Sequence, residues 1–143
     1  MEDFLILKLI GKGSYGKVYL VKKKDDGLTY AMKILKKKDI IVKDQVSHIK
    51  TEKKVMEILD HPFIIKLKFA FQNQHKLYLI SKFCPGGELF FHLSRVERFN
   101  ESSVKFYASQ MVLALEHLHE KNIIYREYIL KNIKFVLTYF HLV

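Results

Sequence analysis

The chain has 143 residues, of which 49% are hydrophobic and 28% charged, and its formal charge is +10. That length suits one domain with a real core, and that composition excludes a disordered chain. A lone cysteine, Cys84, excludes a disulfide framework and a cysteine-rich metal site; no apolar run reaches the roughly 18 residues of a membrane span, and no leader pattern opens the sequence.

A cytoplasmic chain is expected, with a nuclear one compatible. The lysine runs at 22–24, 36–38 and 53–54 could draw in nucleic acid, an acidic membrane surface or a polyphosphate. They read as a solvated basic surface. No nucleic-acid-binding motif accompanies them, so no specific nucleic-acid partner is expected.

Residues 4–12, FLILKLIGK, are β-rich and end in glycine. Residues 17–24 and 28–35 alternate in the manner of strands, and Asp25-Asp26-Gly27 between them is a hairpin signal. Residues 46–59 predict a helix, because Ile49, Glu52, Met56 and Leu59 recur at steps of three and four. Asp60-His61-Pro62 stops it. Strands are expected over 66–71 and 76–82. Cys84-Pro85-Gly86-Gly87 reads as a linker, and beyond it the chain turns helical. A short helix is expected over 88–94. A long one follows Asn100 as N-cap, with an apolar stripe of Val104, Ala108, Met111, Leu115 and Leu118.

Gly11-Lys12-Gly13-Ser14-Tyr15-Gly16-Lys17-Val18 contains GxGxxG. Glycines let backbone amides approach phosphate oxygens unobstructed. A dinucleotide-binding fold would need the third glycine to open a helix and an acid about 20 residues later. Here Gly16 opens a strand, and a lysine, Lys36, stands at that distance. A Walker loop would need Gly-Lys-Ser/Thr after its spacer, which is absent. Lys33 lies mid-strand in Tyr30-Ala31-Met32-Lys33, while Glu52 sits on the inward stripe of its helix. A buried carboxylate needs a cationic partner, and a lysine pointing in from the sheet supplies one.

Together these residues resemble a eukaryotic protein kinase: GxGxxGxV, then Ala-Met-Lys, then a helical Glu. The segments LDHPFIIKLKFAFQ, LYLISKF, PGGELFFHL and LEHLHEKNIIYR are similar to the AGC group of Ser/Thr kinases, the protein kinase B-like, kinase C-like and cyclic-nucleotide-dependent enzymes. The likeness runs from Asp3 to Arg126. It implies an α+β fold: a small lobe of five antiparallel strands plus one helix over 1–83, then the first helices of an incomplete large lobe over 84–127, and a divergent tail over 128–143.

The resemblance also implies roles. Backbone amides around Ser14, Tyr15 and Gly16 would cover the phosphates of ATP, and Ile10, Gly11 and Gly13 would belong to the same ATP-binding site. Lys33 would hold the α- and β-phosphates, oriented by Glu52. Val18, Ala31 and Leu89 would sandwich adenine, and backbone groups of Lys82 and Cys84 would bond its edge. Glu88 would reach the ribose. Ser81 would be an unusually small gatekeeper, opening a back pocket. The groove between the Glu52 helix and strand 66–71 is similar to the AGC pocket for a C-terminal hydrophobic tail. ATP, Mg²⁺ and a protein substrate would be the parent enzyme's partners; the oligomeric state is open.

The likeness breaks at Tyr125-Arg126-Glu127-Tyr128-Ile129-Leu130-Lys131-Asn132. Glu127 stands where the family places its catalytic Asp, and its extra methylene misplaces the carboxylate. A shift of about 1 Å can cost on the order of a hundredfold in rate. Ile129 replaces a phosphate-steadying lysine, and Lys134 falls where an apolar residue should support adenine. Asn132 matches a magnesium ligand. The metal-binding Asp of Asp-Phe-Gly is expected about a dozen residues later, but no Asp follows Asp60. Two readings arise: an interrupted kinase, translated past a frameshift or retained intron, or a non-catalytic pseudokinase serving as a nucleotide-binding or interaction module. The first is preferred, because family character collapses within one residue and the tail uses residues supplied by AT-rich codons. With the long helix's stripe uncovered, about 1.5–3 kcal/mol per residue would be forfeited. The chain alone is therefore expected to be marginally stable and a poor catalyst.

Overall fold

In the computed structural model, residues 1–13 and 16–124 are described. The element order is β1 (Phe4–Gly13), β2 (Gly16–Lys23), β3 (Thr29–Lys36), α1 (Lys37–Val42), α2 (Val46–Ile58), β4 (Leu67–Gln72), β5 (Lys76–Lys82), α3 (Leu89–Val96) and α4 (Glu101–Glu120). The five strands form one antiparallel sheet in the order β1-β2-β3-β5-β4. This is the α+β small-lobe architecture that the resemblance implies.

Local chemistry explains the β2–β3 turn. The Asp26 carboxylate accepts from the Leu28 N–H and from the Tyr30 hydroxyl, each at 2.8 Å. Gly27 takes the left-handed backbone (φ 68°) that the turn requires and glycine adopts without a Cβ clash. Tyr30 is correspondingly harder to ionise, because its hydroxyl is engaged by the Asp26 carboxylate.

Strand alternation then sorts the side chains onto two faces. Phe4, Val21, Tyr30, Met32, Tyr78 and Ile80 form one buried cluster. Its aromatic rings pack edge-on or stacked, with Phe71 and Tyr78 at 4.7 Å between centroids. Leu35, Leu67 and Leu79 form the other cluster with Ile40 of α1 and Ile49 of α2. Helices α1 and α2 thus cover the second face.

α1 has no counterpart among the expected elements. Its Ile40-Ile41-Val42 run is β-branched and a poor helix former, and its N-cap, Lys36, makes no capping bond. Burial of Ile40 against the sheet outweighs that propensity, while Ile41 and Val42 stay exposed. The small lobe therefore carries two helices rather than one.

The chain divides into two compact units: Met1–Ile58 with Lys66–Phe83, and the described part of Leu59–Ile65 with Cys84–Val143. In the second unit the Asn100 side chain accepts from the Ser103 N–H at 2.8 Å, capping α4, with Glu101 in the first turn favourable to the helix dipole. The expected stripe on α4 is displaced. Leu118 is buried and Met111 and Leu115 are half-buried, but Val104 and Ala108 are exposed and Gln110 is buried instead. A three-and-four spacing fits more than one helical face, and packing chose a face next to the expected one. Asn100→Ala is expected to cost about 1 kcal/mol. A lowered denaturant midpoint at unchanged slope would show it; an unmoved midpoint would refute it.

Candidate functional site

The sheet register gathers several predicted residues on one face of the first unit. Val18 lies opposite Lys33, Lys33 opposite Leu79, and Ala31 opposite Ser81. Leu35, two residues from Lys33, and Leu79, its cross-strand partner, lie on the same face and pack with α1 and α2, so this is the helix-covered face. Val18, Ala31, Lys33 and Ser81 therefore share it. Ser81 is half-buried there, between Ala31 on β3 and Leu67 on β4. Lys82 alternates to the other face and is exposed.

Ile49 fastens α2 to the sheet, and Glu52, one turn later, is thereby brought over β3. Its Oε1 meets Lys33 Nζ at 2.6 Å. The sequence reading expected a buried pair. Instead the two side chains retain 37% and 40% of their exposure, because α2 is partly open to solvent at this turn. A half-exposed ion pair contributes only about 0–1 kcal/mol. Its consequence is positional: an ammonium has three donors, and this contact engages one of them. The rest remain suited to anionic oxygens.

The three glycines of the loop are not equivalent. A Cβ at Gly11 would make ordinary contact with Val18 at 3.6 Å, and one at Gly13 would lie 4.0 Å from the nearest backbone. A Cβ at Gly16 would fall 2.0 Å from the carbonyl oxygen of Ile34. Gly16 is thus compelled by the β2–β3 pairing itself, quite apart from any ligand. Gly13 faces Gly16 across the hairpin and Gly11 faces Val18, while Ile10 is partly exposed on β1. Ser14 and Tyr15, which join the strands, lie outside the described residues, as do Glu127 and Asn132.

Cys84, Glu88 and Leu89 belong to the second unit. Cys84 accepts from the Gly87 N–H at 3.2 Å, in a turn where Gly87 has φ 73°. Glu88 is the N-cap of α3, but its side chain makes no capping bond, and Leu89 is buried.

A cavity of about 350 Å³ opens between the helices and the edge of the sheet. Ile40, Ile41, Val46, Ile49, Phe71 and Leu77 supply its apolar lining, with Lys37, Lys50 and Lys53 beside them. It lies at the groove expected between the Glu52 helix and strand 66–71. Helix α1, unforeseen in the sequence, provides one wall. Among the described residues no group of three or more His, Cys, Asp or Glu could hold a metal ion, and no helix is long and apolar enough to cross a membrane.

Comparison with known proteins places these features. A family model described as "Protein kinase domain" matches residues 4–137, extending into the tail that the motif reading set apart. Protein kinase 2 of Dictyostelium discoideum is 52% identical over 126 residues, covering 88% of this chain and 26% of its own. RAC-beta serine/threonine-protein kinase B of Xenopus laevis is 50% identical over 133 residues (93% and 27%), and the human RAC-beta kinase is 49% identical over the same length (93% and 28%). The chain spans about a quarter of these relatives. With the five-stranded sheet, the glycine hairpin and the Lys33–Glu52 pair, these matches show that the chain belongs to the protein kinase family.

Proposed function

We propose that this chain is a fragment of an AGC-type Ser/Thr protein kinase that binds ATP and transfers phosphate poorly or not at all by itself. The parent activity is phosphoryl transfer from MgATP to protein Ser or Thr. The observation that carries the reading is the 2.6 Å contact of Lys33 with Glu52, on the sheet face that also bears Val18 and Ala31. Glu52 holds the ammonium in place, and Lys33 meets the α- and β-phosphates with its remaining donors. Val18 and Ala31 offer small apolar contact to adenine, and the amides of the glycine loop close over the phosphates. Cys84 and Lys82 contribute backbone groups, and Glu88 contributes a carboxylate for the ribose. Magnesium, when bound, neutralises charge on the phosphates; Asn132 is its candidate ligand. The same chain has Glu127 in the place of the catalytic base, and Ile129 where a lysine would steady the transferred group.

Ligand-induced stabilisation tests this reading. A ligand that binds only the folded chain stabilises it by about 2.7 kcal/mol at a hundred times its dissociation constant. ATP is expected to raise the melting temperature of the wild-type chain accordingly. Lys33→Ala, which removes a charge-assisted bond worth about 1.5–3 kcal/mol, should weaken binding roughly ten- to a hundredfold. Glu52→Gln keeps a hydrogen-bond acceptor and should lose less. Absence of any ATP effect in a folded wild-type chain would refute ATP binding. Phosphate transfer at a rate above that of Glu127→Ala would refute the claim of catalytic weakness.

The apolar cavity favours a second reading, a non-catalytic interaction module. It is large enough for two or three side chains of a partner segment, and its lysines suit an acidic neighbour. The two readings part on nucleotide: only the first requires Lys33 for binding.

A further inference from the structure

Two histidines of the second unit serve neither of the sheet's two core clusters nor the nucleotide face. His61 lies in the 59–65 segment, and His117 lies in the last turn of α4. Their rings stack with centroids 5.1 Å apart at 24°, and His61 also meets Phe63 edge-on at 5.5 Å. The backbone N–H of Phe63 lies 3.2 Å from His61 Nδ1. A backbone N–H can only donate, so Nδ1 must be the accepting nitrogen, and the proton of a neutral His61 sits on Nε2.

His117 is constrained from the other side. Its Nδ1 is 3.8 Å from Glu120 Oε2, and its Nε2 is buried with no hydrogen-bond partner among the described residues. Leaving a buried charged N–H unpartnered costs more than leaving a lone pair unpartnered. The geometry therefore accepts a neutral His117 with its proton on Nδ1, toward Glu120. Both imidazoles are neutral in this arrangement.

We propose that the stacked His61–His117 pair is a proton-operated latch, which holds the 59–65 segment on α4 at neutral pH and releases it on acidification. A proton added to His61 must go to Nδ1, where it breaks the bond from Phe63. A proton added to His117 must go to the buried Nε2, beside the His61 ring. Either event sets a positive charge into a stack built for two neutral rings. Among the described residues, Glu120 on α4 is the charge that faces the pair and opposes release; Asp60 adjoins His61 in the chain. Burial, and then repulsion from any positive charge that His117 gains, hold His61 below the usual histidine value, with Glu120 acting against them. A histidine so depressed binds fewer protons folded than unfolded in mild acid. Its stabilisation is complete above the usual value of about 6.5 and is lost as pH falls through and below it. The segment follows directly on Ile58, the last residue of α2.

Histidine-ring NMR titration of the full chain, with amide exchange corrected for intrinsic pH dependence, tests the latch. His61 should titrate below the usual histidine value. Phe63 amide protection should fall by up to about tenfold per pH unit between the usual histidine value and the lower midpoint of folded His61, where only the released segment binds the proton. His117→Phe keeps a stacking ring without the charge and should raise the His61 midpoint. His61→Asn keeps an acceptor for the Phe63 N–H that cannot titrate, and should make that protection independent of pH. A His61 midpoint at or above the usual value, or wild-type Phe63 protection that is flat from about pH 8 to about pH 5, overturns the proposal. So does an unmoved midpoint in a folded His117→Phe. The wild-type titration decides alone where a variant does not fold.

Discussion

Gly16→Ala is expected to cost about 3 kcal/mol or more, among the largest effects of any single substitution in the nucleotide loop. The added Cβ would stand 2.0 Å from the Ile34 carbonyl oxygen and 2.9 Å from its carbon. Neither atom can swing away, because Lys17 pairs with Ile34 and Val18 with Lys33 in the β2–β3 ladder. Relief requires β2 and β3 to part, which also displaces Lys33 from its place above Glu52. Stability and nucleotide binding should therefore fall together. Gly13→Ala is the control, since the nearest atom of the described residues to its new Cβ would be 4.0 Å away. Equal melting temperatures for the Gly16→Ala and Gly13→Ala chains would contradict the account.

Met32→Ala is the second large effect. Met32 is fully buried on β3, on the sheet face opposite Lys33, and packs with Val21, Tyr30 and Ile80. Truncating a buried Met to Ala typically costs about 2–5 kcal/mol, through lost transfer energy and the cavity left behind. Domains hold only about 5–15 kcal/mol in all. Denaturant unfolding should show a midpoint shift of that size, and the chain should lose ATP binding through unfolding rather than through a lost contact. Met32→Leu conserves volume and should cost less than about 1.5 kcal/mol. A Met32→Ala chain as stable as wild type would mean that this face is not a core.

Much of the fold was legible because it rests on local rules. Period-two alternation in 17–24 and 28–35, with Asp-Asp-Gly between, specifies a hairpin without reference to the rest of the chain. Asn100 with Glu101 specifies a helix start in the same way. α1 was not legible, since its propensity opposes the structure and it is held by the burial of Ile40 against the sheet and by the bond from the Lys37 N–H to the His75 carbonyl. The nucleotide face was legible in part. Alternation sets Lys33 on the face of Val18 and Ala31, and the stripe of Ile49, Glu52 and Met56 turns Glu52 toward the sheet. Its exposure could not be read, because a helix stripe reports direction and says nothing of how closely neighbours cover it. The His61–His117 stack was invisible for a related reason: nothing local in Asp60-His61-Pro62 or in α4 specifies a contact so far apart in sequence.

Equilibrium titration of the full chain with a fluorescent ATP analogue, with and without magnesium, tests the central claim most directly. The account predicts saturable binding by the wild-type chain, weakened roughly ten- to a hundredfold by Lys33→Ala. Binding that survives Lys33→Ala unchanged, or a folded wild-type chain that binds no analogue, would contradict it.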